Sequence, residues 1–309
     1  VTNLPAWAEA LPLGREVAIL ATDPCGLLAF NKPAGIRSHP NPPAPAGDDA
    51  PPPATSEATP PGTGQPPPAP PRACLLRAHY DFAGEFYYWC DARDGTPRRL
   101  HLLNRLDSPT SGVILGAVDE EAAAAVRAQF AANKVEKIYH AIIKGRPPAM
   151  PDTWVDTLKR RQPGKDRKTG GILVGRGEDA IARTRYQYLG RDRNNLGLSH
   201  VRLMPKTGRT HQLRVQCSLR KAPIVGDKTY GDFTFNRRLR KEAGIDRLFL
   251  HSAETRVDFV CQGKVRHFEA RAPLPGIFKE VLEHNSRLWL IASAPAKKVP
   301  ARQRPGRPR

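Results

Sequence analysis

The chain has 309 residues, 39% of them hydrophobic, enough to fill the core of one large domain or two ordinary ones. Its 49 Lys and Arg against 30 Asp and Glu leave a net charge of +19, a surplus that a small neutral substrate does not require. Such a surplus points to a polyanion, RNA or DNA before an anionic membrane. No apolar run approaches the roughly 18 residues of a membrane span, and no secretory leader is legible at the N-terminus. Five cysteines, Cys25, Cys74, Cys90, Cys217 and Cys261, are odd in number and never spaced C-x-x-C, which argues against a disulfide framework and a four-thiolate zinc site. A cytoplasmic protein with reduced, structural thiols is expected.

In chain order, "GLLAFNKPAGI" reads as a buried strand entering a turn at Lys32 and Pro33. Residues 41–71 hold 13 prolines and no Lys or Arg, a composition that cannot bury enough apolar surface to offset its ordering entropy. They are expected to form a disordered insertion inside one domain, because the roughly 40 residues ahead of them are too few to stand alone. "SGVILGAV" reads as a strand, and "DEEAAAAVRAQFAANKV" as a helix with acids at its start and Lys134 near its end, the order a helix dipole favours. "KIYHAIIKG", "TRYQYLG", "LSHVRLMP" and "ETRVDFV" alternate as strands, and "THQLRVQCSLR" is a candidate helix. Residues 294–309 form an expected basic, disordered tail; "KKVPARQRPGRPR" carries six basic groups and no acid. Strands dominate, so the expected class is α+β, one domain over 1–293 around a mostly antiparallel sheet with flanking helices.

Several chemistries have no support in the chain. There is no G-x-x-x-x-G-K-[ST], no G-x-G-x-x-G after a strand and no G-x-S-x-G elbow. His267-Phe268-Glu269 matches half of a zinc deaminase signature, but no cysteine follows to complete it, so His267 is expected to be a strand residue pairing with Glu269. What remains is an acid among basic groups: Asp107 behind Arg105 in "HLLNRLDSPTSGVILGA", and the cluster "PKTGRTHQLRVQ". A single carboxylate can act as nucleophile or base when a cation holds it ionised in a dry pocket. On residue types alone Asp107 is either that group or a turn cap before Ser-Pro.

"HLLNRLDSPTSGVILGA" resembles the H-R-L-D-x-x-T-S-G motif of the RluA-type pseudouridine synthases, and further blocks follow in that family's order. "NKPAGIRSHP" is similar to its opening element, "KIYHAIIKG" to its K-x-Y-x-A strand, "TGRTHQLRVQCSLRKAPIVGDKTYG" to its G-R-T-H-Q-I-R block, and "LFLHSAETRVDF" to its closing piece. Asn104 departs from the family, which usually has His before the arginine, and no S4-like RNA-binding domain is read ahead of the catalytic part. The resemblance implies a mixed-sheet pseudouridine synthase fold and isomerisation of uridine in RNA, ribosomal or transfer, by base flipping.

It implies Asp107, Tyr139 and Arg214 as catalytic residues. Asp107 initiates cleavage of the glycosidic bond. Tyr139 stacks on the base and assists proton removal at carbon 5; on its own it reads as a core tyrosine. Arg214 pairs with the aspartate and keeps it charged. Arg105, Arg209, His211, Lys32 and Leu250 are the expected substrate-binding set, with Lys32 touching backbone phosphate and Leu250 flooring the base. No metal, no cofactor, no membrane partner and a monomer are expected. The alternative is a non-catalytic RNA-binding protein on the same fold, favoured only by Asn104; a glycosylase that releases uracil is a second enzyme reading.

Overall fold

The structure, a computed structural model, describes residues 4–42, 73–146, 153–160, 172–174, 181–283, 285, 287 and 288. Except for Asn41 and Pro42, the proline-rich segment 41–71 lies outside these residues, as does the tail 294–309. The elements run α1 (Ala6–Glu9), β1 (Ala18–Thr22), β2 (Leu27–Lys32), β3 (His79–Asp81), β4 (Phe86–Cys90), β5 (Pro97–Leu102), β6 (Ser111–Ala117), α2 (Glu120–Ala131), β7 (Glu136–Lys144), β8 (Thr153–Arg160), β9 (Ile172–Val174), β10 (Ile181–Arg191), β11 (Leu198–Pro205), α3 (Gln212–Leu219), α4 (Phe233–Ala243), β12 (Leu250–Cys261), β13 (Lys264–Arg271) and α5 (Gly276–Leu282).

These strands form one mixed sheet in the order β3-β4-β5-β6-β12-β7-β11-β10-β8-β9, with the β1–β2 hairpin joined to β6 and β13 joined to β12. Among the described residues β6 and β12 pair in parallel, His251 opposite Ser111 and Ser252 opposite Gly112, and the other pairs of strands are antiparallel. The mostly antiparallel α+β class expected from strand periodicity is the architecture found. At the parallel junction Gly112 has φ +112°, and a Cβ there would stand 2.0 Å from the Ser252 carbonyl oxygen, so the strands meet only because this residue has no side chain.

Around β2 and β6 both faces of the sheet are covered, whereas β10, β13 and the outer half of β12 expose alternate residues. α2, capped by the Asp119 carboxylate accepting from Ala122 N–H at 2.8 Å, lays Ala122, Ala123 and Val126 on Val113, Leu115, Val257 and Phe259. Lys134 lies beyond its last turn, so the charge order holds at the start of this helix and not at its end. Around α4 and α5, Phe235, Leu239, Phe278 and Val281 pack with Phe249 and Leu250. A third core, Phe30, Leu75, Leu76, Tyr87, Leu100 and Ile114, joins the β3–β5 meander to β2 and β6, and the half-buried Tyr139 packs at its junction with the second.

The meander and α4 were not among the expected elements. His267 corrects another expectation: it lies on β13 with Nδ1 2.8 Å from Asp258 across the strands, while Glu269 bonds Arg256 and Arg271. The five cysteines are free thiols, Cys90 exposed and the rest buried, and no described helix is long and apolar enough to cross a membrane.

Candidate active site

Asp107 lies in the loop between β5 and β6, and the segment after β2 grips that loop from below. Ser38 Oγ donates to the Leu106 carbonyl at 2.8 Å and accepts from Leu106 N–H at 3.0 Å. Gly35 N–H donates to the Ser108 carbonyl at 2.8 Å, and Ser108 Oγ returns a bond to the Gly35 carbonyl at 3.0 Å. Asn104, where the family usually has His, accepts from Leu115 N–H at 2.8 Å and so fastens the loop to β6. The turn itself is closed by the Asp107 main chain, whose carbonyl accepts from Thr110 N–H at 2.9 Å. Its carboxylate is therefore not spent as a cap.

That carboxylate faces α3. Arg214 Nη1 donates to Asp107 Oδ2 at 2.8 Å, while Arg214 Nε and Nη2 make a two-pronged bond to Asp227 at 2.7 and 2.9 Å. Nη2 also reaches Thr229 Oγ1 at 3.2 Å, and the guanidinium lies 5.2 Å from the Tyr230 ring centre. Side-chain exposure falls from 29% at Asp107 to 7% at Arg214 and 0% at Asp227. Burial by itself would lower the Arg214 pKa, but the two carboxylates outweigh it and hold the guanidinium above its usual value. For Asp227 burial likewise works against the charge, and the Arg214 bonds with N–H groups of Tyr230 and Thr229 hold it below the ordinary carboxylate range.

His211 caps α3 in a left-handed conformation, φ 54°, which turns its ring back toward the loop. Nδ1 sits 3.0 Å from Tyr230 Oη, and Nε2 sits 3.6 Å from Asp107 Oδ2. Burial lowers its pKa, with Arg214 adding to that and Asp107 opposing it, so the contact is to a neutral ring near pH 7. Beneath α3, Gln212 Nε2 donates to Thr184 Oγ1 at 2.9 Å and Thr184 Oγ1 donates to Gln216 Oε1 at 2.6 Å, which ties the helix carrying Arg214 to β10.

A cleft of about 130 Å³ opens over Asp107, and Arg105, Tyr139, Arg209, His211, Arg214 and Leu250 line it with the acid. Leu250, 4% exposed, is apolar floor at the start of β12, and Arg105 and Arg209 are exposed at the rim. Burial raises the Tyr139 phenol to about 12, with the Asp107 charge acting in the same direction. Lys32 is the residue of the expected set that the structure places elsewhere. It is fully buried, and Nζ donates to the carbonyls of Pro33, Ile36 and Ser108 at 3.0, 2.6 and 3.0 Å. An ammonium enclosed in this way cannot meet a phosphate; it ties the loop after β2 to the turn of Asp107.

Sequence reading assigned no role to Asp227, Lys137 or Gln212. Lys137 and Gln212 line the cleft, and burial lowers the Lys137 pKa, with Lys206 adding to the effect. The signal for Asp227 was an acid at the end of the basic block "TGRTHQLRVQCSLRKAPIVGDKTYG": a buried guanidinium has five N–H donors, more than one carboxylate can accept. No group of three or more metal-binding side chains occurs among the described residues.

A family model described as RNA pseudouridylate synthase matches residues 26–219, more than half of the chain and the whole of the Asp107 loop and α3. The chain belongs to this family. Among curated relatives, the tRNA pseudouridine synthase C of Vibrio vulnificus is 32% identical over 205 residues, 62% of this chain and 79% of the relative. That of Pectobacterium carotovorum is 31% identical over 60% of this chain, which spans about half (51%) of the relative's length. The ribosomal large subunit pseudouridine synthase C of Vibrio cholerae is 31% identical over 60% of this chain and 55% of its own length. Two solved human structures share the fold: RNA Pseudouridylate Synthase Domain Containing 1 (TM-score 0.53, 22% identity, 84% of this chain and 83% of that one) and Domain Containing 4 (0.52, 24%, 93% and 95%).

Proposed function

We propose that this protein isomerises uridine to pseudouridine in structured RNA, transfer or ribosomal, the two classes named for its relatives. The observation that carries the reading is the Asp107 carboxylate, free of its turn and held at 2.8 Å by Arg214 on the floor of a cleft. A stacked uracil cannot reach an acid at that depth, so the nucleotide is flipped out at a cost of a few kcal/mol. Arg105 at the rim fills the vacated space or holds a phosphate, and Arg209 and His211 position the nucleotide. Leu250 floors the base and the Tyr139 ring stacks on it.

Asp107 then initiates cleavage between uracil nitrogen 1 and the ribose, and the base turns and rejoins through carbon 5. Attack on the ribose, attack on the base and a glycal route all start from this carboxylate. The Tyr139 phenol is protonated at neutral pH, so its part in removing the proton at carbon 5 requires the hydroxyl to pass its own proton on as it accepts another. The reaction is neutral overall and needs no oxidant, nucleotide cofactor or metal. The enzyme acts in the cytoplasm as a monomer.

The test is product analysis. Pseudouridine is quantified in the tRNA and rRNA of cells with the gene, without it, and with Asp107→Asn in its place. Loss of pseudouridine at a specific uridine in the last two is the expected result. Free uracil as product would make the protein a glycosylase, and RNA binding with no product would make it a non-catalytic binder.

A further inference from the structure

Beside the cleft stands an aromatic group that the proposed reaction does not use. The His39 ring stacks on Tyr80, centroids 5.0 Å apart and planes 15° from parallel. Phe82, on the turn after β3, closes edge-on at 5.1 Å from Tyr80 and 6.1 Å from His39. Tyr80 is backed by Tyr87 at 5.0 Å, and Tyr87 Oη donates to the Ser38 carbonyl at 2.7 Å. Because Ser38 also brackets Leu106, the rings are anchored to the loop of Asp107. Arg105 bridges the two regions: it lines the cleft, and Nη1 lies 3.4 Å from His39 Nε2. With Nδ1 2.6 Å from the Pro40 carbonyl, the His39 proton belongs on Nδ1, leaving Nε2 to accept from Arg105. Phe82 is 42% exposed. One such residue alone would mean little, but this one walls a two-ring stack that meets a cationic cleft.

We propose that His39, Tyr80 and Phe82 form a seat on which an unpaired RNA base next to the flipped uridine stacks, with Arg105 on the phosphate between the two nucleotides; this rests on the isomerase reading above. Flipping leaves a neighbouring base without its stacking partner, and an anchored aromatic surface at the rim of the cleft replaces that partner. The net charge of +19 and the guanidinium between seat and cleft suit RNA as the occupant.

The test uses the full chain carrying Asp107→Asn, which prevents turnover, and an eight-nucleotide oligouridylate with one 2-aminopurine beside a central uridine. Binding should quench the 2-aminopurine. Phe82→Ala should remove most of the quench and weaken binding on the order of tenfold, the effect of losing one base–aromatic stack. Phe82→Leu, which keeps apolar bulk without a π-face and so guards against a folding effect, should do the same, and Phe82→Trp should restore both signals. Tyr88→Ala, 42% exposed in the wild type and on the opposite face of the same meander, should change neither. An unchanged quench in Phe82→Ala and Phe82→Leu, or equal loss in Tyr88→Ala, overturns the seat. Pseudouridine formation in tRNA and rRNA by the wild type is measured in parallel: its absence sinks the isomerase reading, while a Phe82-dependent quench still establishes the seat.

Discussion

On the floor of the cleft Arg214 is 7% exposed and bonded to Asp107, Asp227 and Thr229, whereas at the rim Arg105 and Arg209 are exposed. Arg105 leans on the His39 ring at 3.4 Å, and Arg209 is tied in through its main-chain N–H, 3.1 Å from Gln212 Oε1. The same side chain thus has two uses. Buried between carboxylates it fixes the reacting acid; in water it keeps the freedom to follow a phosphate backbone.

The largest effect should come from the acid itself. Asp107→Asn keeps shape and removes charge, so turnover should fall by at least ~10³-fold while RNA affinity and melting temperature change little. Single-turnover assays and filter binding check both; near-normal turnover would remove Asp107 from the chemistry.

Arg214→Ala should cost about 3–5 kcal/mol of stability, because two carboxylates lose their cation. If Asp227 is the main debtor, as its 0% exposure implies, then Arg214→Ala with Asp227→Asn should melt higher than Arg214→Ala alone. Simple additivity of the two melting shifts would show that the pair is not coupled. Because Asp227 is held below its usual pKa when folded, its contribution is present above the ordinary carboxylate range and is lost as pH falls through the folded value.

Lys32→Met takes the ammonium from the carbonyls of Pro33, Ile36 and Ser108, of which Ser108 keeps the Gly35 N–H, and should cost about 1–3 kcal/mol, with a matching loss of turnover as the Asp107 turn loosens. Burial brings the Lys32 pKa down to about 7, so between there and the ordinary lysine range the unfolded chain binds more protons than the folded one. Stability should therefore rise with pH across that window, and denaturant melts of Lys32→Met should lack this slope. Asn104→Ala removes one bond to the Leu115 N–H and should cost about 1 kcal/mol, with activity reduced but not lost. The smallest effect on turnover should come from the basic tail: removing residues 297–309 deletes six positive charges, so RNA affinity should weaken and its salt dependence flatten, with turnover at saturating RNA unchanged.

Continuous apolar runs made β2 and β6 legible as strands and alternation did the same for β7 and β11, since a strand buried on both faces shows the first pattern and one buried on a single face the second. The meander escaped because β3, "HYD", is too brief and β4, "FYYWC", too uniformly aromatic to show a period. The site was legible to the extent that its parts sit in compact blocks: Asp107, Tyr139, Arg209, His211, Arg214 and Leu250 line one cleft.

By itself the sequence determined which groups are present for chemistry and the α+β class, because motif spacing and alternation are local properties of the chain. Tertiary structure decided what each group is free to do. Arg214 and Asp107 are 107 positions apart, and only folding shows that the guanidinium gives its two-pronged bond to Asp227 and one N–H to the reacting acid. Lys32 reads as a phosphate-binding cation until its ammonium is found enclosed by the carbonyls of Pro33, Ile36 and Ser108. The physical reason is the same in both cases: a buried donor must find acceptors, and those acceptors come from segments whose approach no local pattern records.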